Sequence, residues 1–362
     1  MSWEIETVCI NHYANHSYPD EPYQTHPTTG DGMNREQARH LIRTGNYDIL
    51  FFSCDCNNIQ HFFYDLMYVR LMHQDKKIIA YTTLDCDEMQ IDVFGFMALC
   101  DFIGVYSDHS RKRLSEIIPG VKIQTIYLGC EPDFFYPVSS ATKSEIKRKY
   151  FRTDKRLLLS VARNQWRKDI GRTLYAYHLY AQKNPDCILY LHSKKDDVGG
   201  NLPYIAKGLG LGENAVIYTD DTFSEDQGSP REILREIYQA ADLFISTSTG
   251  EGWGLAVTEA MASGLPVLVP KNTSHIDLIG EKSERGTFID CGGPDNWYVP
   301  YGASMNRRDF CSVSDAVHKI GFCLDHYNLA LEKAINAREW TNRHTWDHAK
   351  EQWLPILKGF EP

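Results

Sequence analysis

The chain has 362 residues, of which 43% are hydrophobic, 12% aromatic and 24% charged. This composition is ordinary for a globular protein and excludes a disordered or fibrous chain, and no stretch approaches the roughly 18 unbroken apolar residues of a membrane span. At about 100 to 200 residues per domain, the length predicts two domains.

The charge distribution limits the partners of the first part of the chain. The formal net charge is −10, and residues 1–138 hold 10 Lys/Arg against 19 Asp/Glu, a net of −9. Such a surface repels phosphate backbones and anionic lipid headgroups, which argues against nucleic acid or an acidic membrane as partners. The start of the chain lacks the basic and apolar regions of a signal peptide, and the cysteines are too sparse for a disulfide framework. We therefore expect a cytoplasmic protein that is not integral to a membrane.

The first part alternates short apolar runs with amphipathic stretches. The runs predict strands at Ile5–Ile10, Ile49–Ser53, Lys77–Tyr81, Phe102–Tyr106 and Ile123–Leu128. The helical patterns lie at Arg35–Arg43, Ile59–Met72 and His109–Ile117. Strand and helix alternation predicts βαβ units around a parallel sheet. The pattern breaks at Leu128–Asp133 and Pro137 follows, so we place the end of the first domain at residue 138.

The second part repeats the alternation. Its predicted strands are Leu157–Val161, Ile188–His192, Ala215–Tyr218, Leu243–Ser246 and Val267–Val269, and its predicted helices are Ile170–Gln182, Leu202–Lys207, Pro230–Ala241 and Leu255–Ser263. We expect an α/β protein with two Rossmann-like domains, residues 1–138 and 139–344, facing each other across a cleft. Residues 345–362 form a third segment, with a terminal helix predicted over Thr345–Leu357.

The most informative stretch is residues 246–267, where a strand ends in a glycine-punctuated loop and a helix opens just after it. Gly252 and Gly254 would let the backbone approach a ligand closely and aim N–H groups at it. The start of the helix adds its positive dipole end, and both features suit a diphosphate. Two carboxylates eight positions apart, Glu251 and Glu259, bracket this turn.

This stretch resembles the E-x7-E signature of the retaining GT-B glycosyltransferases of glycosyltransferase family 4, which use sugar nucleotides. Three other segments resemble that family in order and spacing, namely Ser160–Asp169 (its VGR…RK donor segment), Tyr238–Ser246 (its Y-x-A-A-D run) and Tyr127–Pro137 (its interdomain HGVDxxxFxP segment). The last departs from the pattern, because Tyr127 and Leu128 stand at its polar opening and Glu131 at its Asp. The resemblance covers roughly residues 75–355 and is nearest to virus-encoded and bacterial members that use GDP-mannose. It implies a GT-B fold whose C-terminal helix crosses back to the first domain.

The resemblance implies a role for each matching residue in binding a nucleotide diphosphate sugar. Arg163 and Lys168 would neutralise the diphosphate and the charge that grows on it as the glycosidic bond breaks. Glu251 would hold hydroxyls of the transferred sugar, and Glu259 would accept hydrogen bonds from the ribose. Beside Gly252, the phosphate would be bound by the N–H groups of Trp253, Gly254 and Leu255.

The implied activity is that of a retaining hexosyltransferase of mannose or glucose type, acting on a hydroxyl of a glycan, lipid, protein or small molecule. GDP-mannose is the favoured donor, with UDP- and ADP-sugars as alternatives. The acceptor would attack from the leaving-group face, and the departing phosphate oxygen would take its proton. Because the protein supplies its own cations, we expect neither a cofactor nor a metal. A nucleotide-sugar-binding protein without transferase activity, a GT-B-fold epimerase and a nucleic-acid glucosyltransferase are the alternatives, the last disfavoured by the acidic first domain.

Two short acidic motifs precede these segments. Asp85-Cys86-Asp87 matches the metal-binding D-x-D of GT-A enzymes, but the fold context differs, and we interpret it as a loop that lines the acceptor cleft. Asp55 lies between two cysteines at the end of a predicted strand. No second cysteine pair has the spacing of a zinc site, so we interpret this segment as a strand-end loop and Asp55 as a second candidate for the acceptor cleft.

Three further residues of the second domain need an interpretation. His192 ends a predicted strand, where it could approach the nucleotide or serve as a structural histidine. Arg167 is interpreted as a solvated loop charge. Of the seven tryptophans, all but Trp253 are expected in the core rather than as sugar platforms.

The N-terminal segment differs from the family pattern, in which a strand, a Gly-rich loop and a helix open the chain. Trp3–Tyr13 resembles the second strand of that pattern instead. Three explanations stay open: a start codon assigned too late, a divergent or inactive protein, or a rearranged start. In the last, Glu4–His12 is the central strand, His12–Gly32 a long cleft loop and Asn34–Thr44 the first helix.

Overall fold

The computed structural model describes residues 4–8, 24–26, 34–87, 91–212, 214–219, 228–299 and 306–360. These residues form two Rossmann-like halves, each built on a parallel sheet with helices packed against it. The predicted α/β class is thereby confirmed. The two sheets lie on either side of position 138, and the domain boundary at that residue stays a prediction.

The first half contains a four-stranded parallel sheet. The strands of this half are β1 (Glu6–Val8), β2 (Gln24–His26), β3 (Ile49–Ser53), β4 (Lys77–Thr82), β5 (Phe102–Val105) and β6 (Ile123–Thr125). Its helices are α1 (Arg35–Thr44), α2 (Cys56–Gln60), α3 (Phe63–Met72) and α4 (Asp108–Ile117), and a 3₁₀ helix spans Ile91–Leu99. Strands β3 to β6 pair in chain order. The central strands β4 and β5 are buried along nearly their whole length, because helices cover both faces of the sheet.

Two predictions for this half need correction. The single helix predicted over Ile59–Met72 is two helices, because the chain turns at His61 and Phe62, whose N–H groups bond three residues back. Over its described residues, β1 pairs with β2 and not with the four-stranded sheet, so residues 4–8 of the predicted strand Glu4–His12 do not form the central strand; residues 9–12 lie outside the described residues. Part of the predicted cleft loop is β2, and the rest lies outside the described residues. The first helix predicted over Asn34–Thr44 is confirmed as α1.

The second half contains a larger parallel sheet. The strands of this half are β7 (Arg156–Val161), β8 (Cys187–His192), β9 (Asp196–Asp197), β10 (Gly200–Asn201), β11 (Val216–Tyr218), β12 (Leu243–Ile245), β13 (Val267–Pro270), β14 (Thr287–Ile289), β15 (Trp297–Tyr298) and β16 (Arg308–Asp309). Its helices are α5 (Ser140–Phe151), α6 (Ile170–Ala181), α7 (Leu202–Gly208), α8 (Arg231–Ala240), α9 (Leu255–Ala262), α10 (Thr273–Ile279), α11 (Val313–Asp325), α12 (Tyr327–Arg343) and α13 (Trp346–Lys358), with a 3₁₀ turn at Trp166–Lys168.

The strand order of this sheet fixes where a ligand can bind. The spatial order is β11-β8-β7-β12-β13-β14, with every pairing parallel. Counted along the chain, this is the order 3-2-1-4-5-6 of a doubly wound sheet. The direction of winding reverses between β7 and β12, so a crevice opens at the carboxyl ends of these two strands.

Helix α13 belongs to the first sheet although it follows the second half in sequence. The ring centroid of Trp353 lies 5.0 Å from those of Phe51 and Tyr81 and 5.7 Å from that of Phe102. Gly104 makes room for it, because a Cβ there would lie 2.7 Å from the indole. The predicted return of the C-terminal helix to the first domain is thereby confirmed.

None of the helices in the described part of the chain is long and apolar enough to span a bilayer.

Candidate active site

A cavity of about 1160 Å³ opens at the switch point between the two halves. Its walls come from the loops after β7 and β12 in the second half and from the ends of β3 and β4 in the first. All the residues predicted for the site line this one cavity: Asp55, Asp85, Arg163, Lys168, His192, Glu251, Gly252, Trp253, Gly254, Leu255 and Glu259. Their predicted roles stay predictions.

Glu251 is the centre of an ionic network in this cavity. The residue is 7% exposed, and its carboxylate contacts the Lys168 ammonium through Oε1, while its Oε2 accepts from Arg167 Nη1 at 2.7 Å. Burial by itself would raise the pKa of Glu251, but Lys168 and Arg167 outweigh it and hold that pKa well below its usual range. The carboxylate is therefore ionised and flanked by two cations.

Arg167 is part of this network, so its interpretation as a solvated loop charge was wrong. Its Nε lies 3.3 Å from Asp85 Oδ2 in the first half, and its Nη1 also donates to the carbonyl of Gly250 at 2.9 Å. Burial works against its charge, yet Glu251 and Asp85 raise the pKa of Arg167 above its ordinary value. The pattern "RK" in the sequence marked the right segment, but it could not show which of the two side chains reaches across the cleft.

Arg163 lies at the rim of the cavity rather than beside Glu251. Its side chain is 62% exposed, and its Nε donates to Asp197 Oδ2 at 2.9 Å. The cation nearest the carboxylate is thus Lys168, with Arg167 beside it.

Two backbone groups of Glu251 are held by residues at the start of α10 that the sequence did not single out. Its N–H donates to Thr273 Oγ1 at 2.9 Å, and its carbonyl accepts from Ser274 Oγ at 2.8 Å. Thr273 has a φ of 40°, which is rare for a β-branched residue and typical of strained functional loops. These two hydroxyls fix the loop on which Glu251 stands.

Glu259 lies one turn into α9 and faces the same cavity. Its Oε2 accepts a hydrogen bond of 2.7 Å from the hydroxyl of the buried Tyr238. Burial raises the pKa of Glu259 to about 7, with a further contribution from Glu131. Glu259 therefore titrates near neutral pH, whereas Glu251 stays ionised.

Two histidines near the cavity are neutral. Burial lowers the pKa of His192 to about 4, and its Nδ1 lies 3.0 Å from Tyr190 Oη. Burial likewise lowers the pKa of His275 to about 4, and its Nδ1 lies 3.0 Å from Asn272 Oδ1. His192 lines the cavity and can offer a hydrogen bond but not a positive charge.

The glycines of the loop after β12 also let the first half approach closely, while their predicted role toward a ligand stays a prediction. A Cβ on Gly252 would lie 2.3 Å from Thr83 Cγ2, and a Cβ on Gly250 would lie 1.9 Å from the Asp85 carbonyl oxygen. Both positions must therefore be glycine to let the first half approach in this arrangement. Gly254 has a φ of 104° immediately before α9, a conformation that favours glycine.

Trp253 is a core residue, so its expected role as an exposed sugar platform was wrong. Its side chain is 3% exposed and packs 5.1 Å from the Tyr127 ring and 6.1 Å from the Trp340 ring. The prediction for Trp166 was wrong in the opposite sense: a core position was expected, but the residue is 74% exposed. Only the backbone of Trp253 is available for a ligand, and the first N–H groups of α9 have no partner within the helix.

The D-x-D motif does not form a metal site in this arrangement. Asp85 contacts arginines from the second half, and Asp87 lies 3.8 Å from His109. Asp55 lies at the start of α2, where burial and the nearby Asp85 carboxylate raise its pKa. Among the described residues, no group of three or more His, Cys, Asp or Glu side chains suits a metal ion. Independence from metal stays a prediction.

Comparison with known proteins finds a family likeness in the second half. Residues 142–297 match the family described as glycosyl transferases group 1. The match covers less than half of the chain.

Curated relatives match part of the chain. Mannosylfructose-phosphate synthase of Agrobacterium fabrum is 29% identical over 160 residues, which cover 41% of this chain and 33% of that protein. Alpha-monoglucosyldiacylglycerol synthase of Streptococcus pneumoniae is 30% identical over 193 residues, covering 52% of this chain and 42% of that protein. The matches thus span between a third and a half of the length of these relatives.

Solved structures extend the likeness to the whole fold. Sucrose-phosphate synthase from Thermosynechococcus elongatus has a TM-score of 0.74 at 16% identity, covering 99% of this chain and 89% of that one. HepE of Anabaena in complex with UDP and glucose has a TM-score of 0.65 at 16% identity, covering 93% and 86%. The predicted GT-B fold is confirmed.

Proposed function

We propose that this chain is a retaining glycosyltransferase of family 4 that transfers a hexose from a nucleotide diphosphate sugar to a hydroxyl acceptor. The observation that carries the proposal is the meeting of Lys168, Arg167 and Glu251 at the switch point, beside the start of α9. The group 1 domain and the relatives named as synthases and transferases support the transferase class.

The donor diphosphate would bind between Lys168 and the unpartnered N–H groups at the start of α9. Lys168 is paired with Glu251. A diphosphate adds negative charge next to this pair, so the ammonium can turn toward a phosphate oxygen and leave a carboxylate oxygen to accept a sugar hydroxyl. Arg163, at the rim, would exchange Asp197 for the diphosphate, and Glu259 would accept from the ribose.

The chemical step exchanges one bond at the anomeric carbon for another. The bond from this carbon to the phosphate oxygen breaks, and the acceptor oxygen forms a new bond on the same face. The departing phosphate oxygen takes the acceptor's proton, so no side chain is needed as a base. Lys168 and Arg167 stabilise the negative charge that develops on the diphosphate in a site partly shielded from water. Because these cations stabilise the charge that a bound metal ion often stabilises, the reaction proceeds without a metal.

The donor is proposed to be GDP-mannose, on the strength of the sequence resemblance. The first half would supply the acceptor side through Asp55 and Asp85, which line the cavity opposite the donor loop. UDP- and ADP-sugars are the competing donors, and UDP is present in the HepE structure.

The test is a donor panel with purified protein. GDP-mannose, UDP-glucose and ADP-glucose are incubated with pooled sugar, lipid and peptide acceptors, and release of the nucleoside diphosphate and the mass gain of the acceptor are followed. We expect turnover with one donor, its loss in Lys168→Ala, and full activity in Lys207→Ala, a control on the exposed face of α7. Nucleotide binding without turnover on any acceptor would favour the binding-protein alternative, and conversion of the donor's own sugar would favour an epimerase.

A further inference from the structure

Arg308 donates hydrogen bonds from two guanidinium nitrogens to a single residue of the first half, Asp85. Arg308 lies on β16, and its side chain is 9% exposed. Its Nη1 donates to the Asp85 carbonyl oxygen at 2.8 Å, and its Nη2 donates to Asp85 Oδ1, also at 2.8 Å. The planar fork of arginine fits such a two-point contact, which lysine cannot reproduce.

Asp85 also contacts Arg167, and through it Glu251 of the candidate donor loop. Its second oxygen, Oδ2, lies 3.3 Å from Arg167 Nε, and Arg167 in turn binds Glu251 Oε2 at 2.7 Å. Arg308 thus reaches Glu251 through Asp85 and Arg167, four alternating charges in a row. Because each member is held by its neighbour, a shift of Asp85 changes where Arg167 points.

This row of charges exists only while the halves are close together. Asp85 belongs to the first half, and the other three residues to the second. The approach is tight, since a Cβ on Gly250 would lie 1.9 Å from the Asp85 carbonyl oxygen. Asp85 and Arg308 also both lie outside residues 142–297, the part that matches the glycosyltransferase family.

We propose that Arg308 is a positioning residue that couples closure of the two halves to the alignment of Arg167 and Glu251. The inference rests on the proposed function and adds to it a residue that touches neither donor nor acceptor. Arg308 holds Asp85 at the cleft, and Asp85 then holds Arg167 against Glu251. The donor itself binds to the second half, so its affinity does not depend on this contact.

The first test separates turnover from binding. In Arg308→Gln we expect kcat to fall about 10- to 100-fold, while the dissociation constant of the nucleoside diphosphate product changes less than twofold. Arg308→Lys should recover only part of the loss, because it offers one contact instead of two. Arg307→Gln is the matched control: it removes a neighbouring arginine that pairs with Asp309, and we expect unchanged kinetics. Unchanged kcat in Arg308→Gln, or an equal loss of nucleotide affinity, would overturn the proposal.

The second test does not use the reaction, so it stands even if the proposed function fails. Hydrogen exchange of the backbone amides at residues 83–86 is compared in the wild type, Arg308→Gln and Arg307→Gln. We expect exchange to be at least 10-fold faster in Arg308→Gln only, because the loop loses its partner across the cleft. Asp85→Asn combined with Arg308→Gln should exchange no faster than the Arg308 variant alone. Equal exchange in the wild type and Arg308→Gln would contradict the coupling.

Discussion

Thr83 and Gly252 join the two halves directly: the Thr83 hydroxyl donates to the Gly252 carbonyl at 2.8 Å, between residues 169 positions apart. The contact lies one residue from Glu251 and leaves no room for a side chain at position 252. The glycine-rich turn is therefore a docking surface for the first half as well as a candidate phosphate loop.

Gly252→Ala should separate the halves without unfolding either. The added Cβ would lie 2.3 Å from Thr83 Cγ2, so the loop or the domain must move. We expect at least a 100-fold loss of turnover with nucleotide binding retained, measured by steady-state kinetics and calorimetry. Gly171→Ala on α6 is the control, since nothing lies within 4 Å of its Cβ, and its free energy of unfolding should stay equal or rise by about 0.5 kcal/mol. Normal activity of Gly252→Ala would refute the close approach.

Glu251→Gln and Lys168→Ala should fail in different ways. Glu251→Gln removes the proposed sugar-binding carboxylate but leaves Lys168, so kcat should fall roughly 100- to 1,000-fold while nucleotide binding persists. Lys168→Ala should weaken binding of the nucleoside diphosphate at least about 10-fold, because a direct cation partner is lost. Titration calorimetry and initial rates distinguish the two. If both variants keep their affinity and their rate, the ionic network has no part in catalysis.

Glu259 should make stability depend on pH near neutrality. Burial raises its pKa from 4.5 to about 7, so between these values the folded state binds more protons than the unfolded state. The stability that the protonated form contributes is complete below pH 4.5 and is lost as the pH rises through 7. The unfolding free energy of Glu259→Gln minus that of the wild type should therefore increase over this range, as measured by urea titration. Tyr238→Phe removes a hydrogen bond that lowers this pKa, and should move the change to higher pH. A difference in unfolding free energy that does not change with pH would show that burial does not raise the pKa of Glu259.

Trp353→Ala should loosen α13 from the first sheet. The indole packs edge-on against Phe51, Tyr81 and Phe102. We expect a loss of about 3 kcal/mol of unfolding free energy, near the lower end for large aromatic truncations because the ring is half-buried. Trp166→Ala, at a position 74% exposed, should change it by less than about 0.5 kcal/mol. Equal effects of the two variants would mean that the helix does not dock.

Sequence reasoning predicted the secondary structure around the candidate donor loop because its signals are local. A strand, a glycine-punctuated turn and a helix lie within residues 243–262, and each element follows from short-range propensity. The predicted strands Ile49–Ser53 and Leu157–Val161 likewise appear almost unchanged, because short runs of mostly apolar residues favour strands.

The contacts across the cleft could not be predicted in this way. Asp85 and Arg308 are 223 positions apart, and nothing in the short strand around Arg308 indicates a partner in the other half. Thr273, which holds the Glu251 backbone, and the pairing of Arg167 depend on the same tertiary arrangement. The helix Tyr327–Arg343 was not predicted, since its buried apolar positions are alanines except for Trp340.

The most direct test of the account is thermal unfolding with GDP, UDP and ADP, each with and without its sugar, in the presence of EDTA. A ligand at about a hundred times its dissociation constant stabilises the folded state by roughly 2.7 kcal/mol, which raises the melting temperature by some degrees. The account predicts a clear rise with one nucleotide in EDTA, reduced in Lys168→Ala and kept in Lys207→Ala. No rise with any nucleotide, or a rise that disappears with EDTA, would contradict a metal-independent nucleotide-sugar site at Lys168 and Glu251.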